Sequence, residues 1–364
     1  MRDKRWFRLL VFLPVLLGIM LTNYLVDPGS VYKGDSRLMA DSLLAGNQVY
    51  FSAGNGNERE FKRCLIMGMP DEVDCVAVGP SLVFGVRTDM TGEDTFYNLG
   101  VSNASFYDIF AQFGLMEACG KHCGRVIFCV DFNFFAGTGA DTGSRSGTLK
   151  PYADYMTAIL EGEEAETPKE DSFARIREKL SQILSVSYFQ SCVSWAGERG
   201  VDALRERIME KKDWGIAGEG HRENYYLTDA SLVYALSYQE NPPEFVRKEA
   251  AEYDIETRFS RKGHIDPYCA EMFEKLTAYL TGQGVEVELY LCPLSPSLWD
   301  RVDNGEYYVL TELEEYAREI ARKYDLKLTG TYDPYTLGMS DADFYDSRHV
   351  RHEVMEDYFD FTAK

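Results

Sequence analysis

The run VDCVAVG, Val73–Gly79, constrains the fold of this chain more than any other stretch. It is short, apolar and rich in valine, with acids before it and Gly-Pro-Ser after it, as expected of a strand buried on both faces. DTFYNLGVS adds a second strand and turn. SFYDIFAQFGLMEACG has apolar residues at helical spacing and stops at Gly120, and RVIFCVDF (Arg125–Phe132) reads as a third strand. Strand, loop, helix, strand at this spacing predicts parallel pairing with helices on both sheet faces. The pattern returns in IDPYCAEMFEKLTAYLTGQG (helix), VEVELYLCPL (strand) and TELEEYAREIARKYDLKLTGTYD (helix, then strand). The expected fold is α/β, a three-layer α/β/α sandwich on a parallel sheet.

Between the two halves of that pattern, from about 136 to 262, the character changes. FAGTGADTGSRSGT is a Gly/Ser/Thr-rich loop, and acidic EGEEAETPKED and several charged helical segments follow it. We read this as a mostly helical insertion in one α/β domain spanning 71–364. A lid, a partner surface and a solvated elaboration all fit its composition.

The N-terminus sets the compartment. MRDKRWFR carries Arg2, Lys4, Arg5 and Arg8 ahead of LLVFLPVLLGIML, and Tyr24, Leu25 and Val26 prolong the apolar run to Asp27-Pro28. That is close to the roughly 20 residues that span a bilayer. The flanking cations predict a cytoplasmic tip. No Ala-x-Ala site follows the run, which favours an uncleaved anchor over a cleaved signal. Residues 1–27 are thus the expected tip and transmembrane helix, 28–70 a juxtamembrane connector with some helix, and everything from about 28 onward extracytoplasmic. A hydrophobic content of 45% demands a packed core, while a net charge of −21 excludes a nucleic-acid backbone as partner and disfavours adsorption to anionic lipid.

Eight cysteines in such a compartment permit disulfides, although a chain of this size does not need them. Cys75, Cys129 and Cys292 sit in strand-like runs and read as small buried hydrophobes. CGKHC, Cys119–Cys123, reads as a helix end with a local disulfide or free thiols, because no second Cys/His pair completes a tetrahedral metal site around His122. No metal and no cofactor is expected.

In open parallel sheets functional side chains gather at the carboxyl ends of strands. Three such ends fall at VGPSL, NLGVSNAS and VDFNFF. Ser81 in the first is either a helix N-cap or a nucleophile aided by backbone donors. Asp346-Ser-Arg-His349, inside DFYDSRHVRHEV, places a carboxylate three residues before an imidazole, and the last expected strand brings both toward the sheet edge that holds Ser81. A serine needs such a base to lose its proton. His352 is the rival base; His221 and His264 read as structural or exposed.

VAVGPSLVFGV, YNLGVSNAS, VDFNFF and YDSRHV, in this order, resemble the blocks of the SGNH (GDSL-type) hydrolase superfamily. More narrowly they resemble its membrane-anchored members of bacterial cell-envelope polymer acylation, the DltD and AlgX/AlgJ types, and the N-terminal NYLVDPG is similar as well. The resemblance covers about 73–135 and 264–360 and leaves the insertion unmatched. It implies Ser81 as nucleophile, His349 as base and Asp346 as its orienter. It implies oxyanion donors at Asn103, in register where a glycine is usual, and at Asn133. The first block reads Gly-Pro-Ser where Gly-Asp-Ser is usual, and Gly-x-Asn-Asp is missing from the third.

The implied activity is serine O-acyl transfer on acyl esters, acetyl above all, of a cell-envelope polysaccharide or teichoic-type polymer, beside a membrane-bound O-acyltransferase. A hydrolytic esterase of the same polymers and a non-catalytic scaffold of the acyltransferase complex are the alternatives. The 24 tyrosines and 4 tryptophans include rings on which glycans could stack, though most belong to packing.

Overall fold

The computed structural model describes residues 4–51, 58–135, 149–169, 174–209, 212, 214–259, 264–303 and 307–362. The loop expected at 136–148 lies outside these residues, as do residues 1–3 of the expected tip. Nine strands are described: β1 (Val49–Phe51), β2 (Glu72–Val78), β3 (Phe96–Asn98), β4 (His122–Cys129), β5 (Trp214–Ile216), β6 (Tyr225–Tyr226), β7 (Leu232–Val233), β8 (Glu286–Leu291) and β9 (Lys327–Gly330).

Five of them form one parallel sheet in the order β3-β2-β4-β8-β9. The apolar runs explain why it is buried on both sides. Val76 and Val78 of β2, Val126 and Phe128 of β4, and Val287 and Leu289 of β8 enter one core. Their strand neighbours Cys75, Ala77, Ile127, Cys129 and Tyr290 enter another on the opposite face. Alternation with period two thus produces two apolar faces from one run. Each fully buried side chain of this size contributes about 1.5–3 kcal/mol.

The first core is closed by helices Glu58–Gly68, Phe106–Cys119, Pro267–Gly282 and Val309–Tyr324. The second is closed by thinner material, including Met90, Val246 and the C-terminal residues Phe344, Met355, Phe359 and Phe361. The expected helix after Ala104 starts at a Ser105–Asp108 capping box and ends on Gly120 at φ 63°. Gly114 within it is required by packing: a Cβ there would lie 2.0 Å from the Tyr152 carbonyl oxygen of helix Lys150–Glu161.

The other four strands pair antiparallel in the order β5-β1-β6-β7. β1 belongs to the stretch read as a connector, whereas β5, β6 and β7 belong to the insertion. The insertion is therefore joined to the N-terminal region by backbone pairing, which sequence periodicity did not show because these strands have only two or three residues.

The expected membrane segment forms a helix, Lys4–Val26. Among the described residues, however, no helix is long and apolar enough to cross a membrane, so the structure gives the expected span no support. Its C-terminal end is held by protein. The buried Asn23 amide donates to the carbonyls of Gln182, Ile183 and Ser185, and Arg207 donates to the Val26 carbonyl at 2.7 Å. Asp27, at φ 42°, accepts from the N–H groups of Val31, Tyr32 and Lys33 and from the Tyr188 hydroxyl. Polar contacts with insertion helices Ala174–Ile183 and Val186–Met209 thus occupy turns that lipid was expected to cover. No disulfide joins any of the eight cysteines, Cys119 and Cys123 included, all of which lie among the described residues.

Candidate active site

Ser81 lies just past β2, after Gly79-Pro80, and opens a single 3-10 turn, Ser81–Val83, whose N-cap is Pro80; it is therefore not the helix N-cap that the sequence offered as one alternative. Gly79 before it has φ 144°, and a Cβ there would lie 2.7 Å from that of Cys129, so only glycine brings β2 this close to β4. The turn is cinched from β3. The buried Asn98 amide donates to the carbonyls of Val83 and Val86 at 2.6 and 3.0 Å, and its oxygen accepts the Gly100 N–H. Sequence pattern does not single out Asn98, yet its side chain is what fixes the segment after the serine.

Ser81 Oγ lies 2.8 Å from His349 Nε2, across 268 residues of chain. His349 Nδ1 lies 2.8 and 3.0 Å from the two Asp346 oxygens. The Asp-x-x-His spacing works because residues 345–349 fold back on themselves. The Tyr345 N–H donates to the His349 carbonyl, and Asp346 Oδ1 accepts the N–H groups of Arg348 and His349 at 2.8 Å each. Burial opposes charge on Asp346, but the adjacent His349 and these hydrogen bonds outweigh it and hold the carboxyl below its usual range.

The insertion contributes a group that the sequence did not flag. The Tyr238 hydroxyl donates to Asp346 Oδ2 at 2.5 Å and sits 3.2 Å from His349 Nδ1. Burial and the Asp346 charge push its own pKa far up, so it remains a donor. Arg351 anchors the same loop to the carbonyls of Gln239 and Asn241 at 2.6 Å each, and the Asn241 amide donates to the Tyr345 carbonyl. One tyrosine among 24 carries no local signal; only the fold singles it out.

The third strand end is tied in by charge. Asp131, just past β4, pairs with Arg348 at 2.6 Å while its other oxygen accepts the Asn133 N–H at 3.0 Å. Burial works against the Arg348 charge, yet the Asp131 carboxylate raises its pKa. Asn103 has φ 56°, the left-handed conformation that asparagine tolerates. The Asn133 side-chain amide donates to Asn103 Oδ1 at 3.2 Å, so the ends of β3 and β4, which flank β2, bring these two residues together.

His352 is not placed as a base. Its Nδ1 faces the Gly85 carbonyl at 3.0 Å and its Nε2 faces Glu356 at 2.9 Å, at the start of helix His352–Tyr358. His264 pairs with Glu312, and His221 stacks on Tyr50. Among the described residues no group of three His, Cys, Asp or Glu side chains could hold a metal ion.

Ser81 and His349 open into a cavity of about 260 Å³. One wall comes from the insertion, through Tyr225, Leu227, Leu232, Val233, Tyr234 and Gln239. The other comes from the segment after Ser81 and from the C-terminal loop. The chain matches no protein-family model, and no curated protein is similar to it.

Proposed function

We propose that the protein is an extracytoplasmic serine O-acyltransferase or esterase acting on acyl esters, acetyl above all, of a cell-envelope glycan or teichoic-type polymer. The observation that carries this reading is the 2.8 Å contact between Ser81 Oγ and His349 Nε2, with Asp346 on the opposite ring nitrogen. In it, Ser81 Oγ attacks the acyl carbonyl and its proton passes to His349 Nε2. Asp346, with the Tyr238 hydroxyl on its second oxygen, stabilises the imidazolium that forms. The Asn103 N–H and the Asn133 amide are the proposed oxyanion donors. His349 returns the proton to the departing alcohol. A polymer hydroxyl or water, deprotonated by the same histidine, then takes the acyl group from Ser81.

The order of the four sequence blocks, three at the ends of β2, β3 and β4 and the fourth in the loop after β9 that returns to Ser81, supports an SGNH-like assignment of the α/β/α domain. Residues 1–27 are the proposed membrane attachment. Its support is the exposed apolar side of helix Lys4–Val26, where Phe12 is 67% and Val15 61% accessible. A membrane-bound O-acyltransferase is the proposed partner on that side.

Full-length protein in detergent, treated with a fluorophosphonate probe, tests the chemistry. Labelling is expected in the wild type and absent from Ser81→Ala, with His349→Ala strongly slowed. A wild type that stays unlabelled while folded would sink the reading.

A further inference from the structure

The cavity beside Ser81 contains a cation with no counter-charge. Arg87, half-buried, lines it together with Ser81 and His349. Among the described residues its side chain makes no hydrogen bond or ion pair, and its Nε is shut off from solvent with no acceptor. The Nε atoms of Arg125 and Arg348 are likewise buried without an acceptor, but the guanidiniums around them have carboxylate partners. Arg59 is paired with Asp108, Arg63 with Glu60, Arg125 with Glu288 and Arg348 with Asp131. A guanidinium partly withdrawn from water loses hydration that a partner would otherwise repay. In a chain with 59 acidic residues and 38 basic ones, the missing carboxylate is not a matter of supply.

The other polar groups of the cavity do not fill that role. His352 is held by Gly85 and Glu356, and burial followed by the Arg87 charge pushes its pKa down. Glu353 also lines the cavity, yet it is exposed, lies beyond ion-pair reach of Arg87, and faces the Tyr345 hydroxyl at 3.5 Å. The lining also includes the apolar side chains of Leu82, Leu232 and Met355 and the ring of Tyr234. A fork of donors set among partly apolar walls is what a bidentate oxyanion needs to bind strongly.

We infer that Arg87 is a subsite for an oxyanion, a carboxylate or a phosphate, borne by the polymer next to the hydroxyl whose ester meets Ser81. This rests on the reading of the Ser81 cavity as an ester site and narrows it: the substrate is an anionic polymer. A uronate glycan and a phosphodiester polymer share that chemistry, and small anions separate them.

The direct test measures binding of two unreactive probes, glucuronate and glycerol 1-phosphate, to detergent-solubilised full-length protein by titration calorimetry, with glucose as the neutral control. At least one anion is expected to bind about tenfold or more tightly than glucose, and the preferred one identifies the source. Arg87→Gln is expected to remove that preference and Arg87→Lys to keep part of it. Equal binding of anions and glucose by wild type, or an anion preference that survives Arg87→Gln, would overturn the subsite.

A second readout separates this inference from the ester reading. The ratio of kcat/KM for acetylated glucuronate to that for acetylated glucose is expected to fall about 10- to 100-fold in Arg87→Gln. A wild type that binds the anion through Arg87 but turns over neither ester would refute the acyl chemistry and leave the subsite standing.

Discussion

The parallel sheet and the insertion do different work at the same cavity. The sheet half holds Ser81, Asp346 and His349, each placed by a strand end or by the loop that returns to one. The insertion half, which supplies β5, β6 and β7 of the antiparallel sheet, holds none of these three residues but builds one wall and donates the Tyr238 hydroxyl to Asp346. Sheet ends are rigid because neighbours on both sides fix them, so they suit groups that must meet within a hydrogen bond. A wall made of two- and three-residue strands and short helices can vary without disturbing that contact, which suits selection of substrate.

The comparison breaks most completely through His349. In the proposed chemistry, replacing it by alanine removes the base while leaving the sheet intact, so ester turnover is expected to fall by about 10³–10⁴-fold or more. The check is single-turnover acylation with circular dichroism to show that the fold persists. A loss under tenfold would mean that another group takes the proton.

Next comes the clamp between the sheet end and the triad loop. Asp131→Asn leaves Arg348 buried without its anion, and breaking such a pair costs about 3–5 kcal/mol. A lower urea midpoint is the expected result. Activity should fall with it, since Arg348 lies between Asp346 and His349 in the loop. A stability change under about 1 kcal/mol would show that this ion pair is not what joins β4 to the site.

How much of this was legible differs between the two halves for a physical reason. Val73–Gly79, Arg125–Phe132 and VEVELYLCPL announce themselves because strands buried on both faces must be continuously apolar, and Ser81, Asp346 and His349 stand at their ends or beyond the last of them. Asn103 could be questioned as an oxyanion residue from the sequence, and its φ of 56° shows how the chain accommodates asparagine there. Tyr238, Arg87, Lys62 and the side chain of Asn98 could not be singled out. Tyr238, Lys62 and Asn98 depend on partners 12 to 168 residues away, and Arg87 is marked by the absence of one; no local periodicity encodes either.

Lys62 sits at the joint between the halves, and it sharpens the comparison through pH. On helix Glu58–Gly68 its fully buried ammonium donates to the Asn98 carbonyl of β3 and to the Ala230 carbonyl of the insertion, at 2.6 and 2.8 Å. Burial lowers its pKa to about 7. The unfolded chain keeps the ordinary lysine value, so between about pH 7 and 10 the unfolded state binds more protons than the folded one. Stability from this group therefore rises with pH across that window, by on the order of 2 kcal/mol from pH 7 to 9. Lys62→Met should flatten the pH dependence of the urea midpoint relative to wild type. Parallel curves for the two proteins would mean that Lys62 is not desolvated.

The smallest expected effect is the most specific. Tyr238→Phe removes one hydroxyl from the insertion side of Asp346 and leaves the ring, with its contacts to Tyr234 and Tyr345, in place. A hydrogen bond to a charged group contributes about 1.5–3 kcal/mol. Asp346 still keeps two backbone N–H donors and His349, so only part of that is lost at the transition state. We expect kcat for a small neutral ester to drop about three- to tenfold with KM unchanged, because Tyr238 acts through Asp346 and does not hold the ester. A rise in KM with kcat intact would place Tyr238 against the substrate instead, and would make the insertion a binding wall only. A wild-type rate would cut the insertion off from the chemistry altogether.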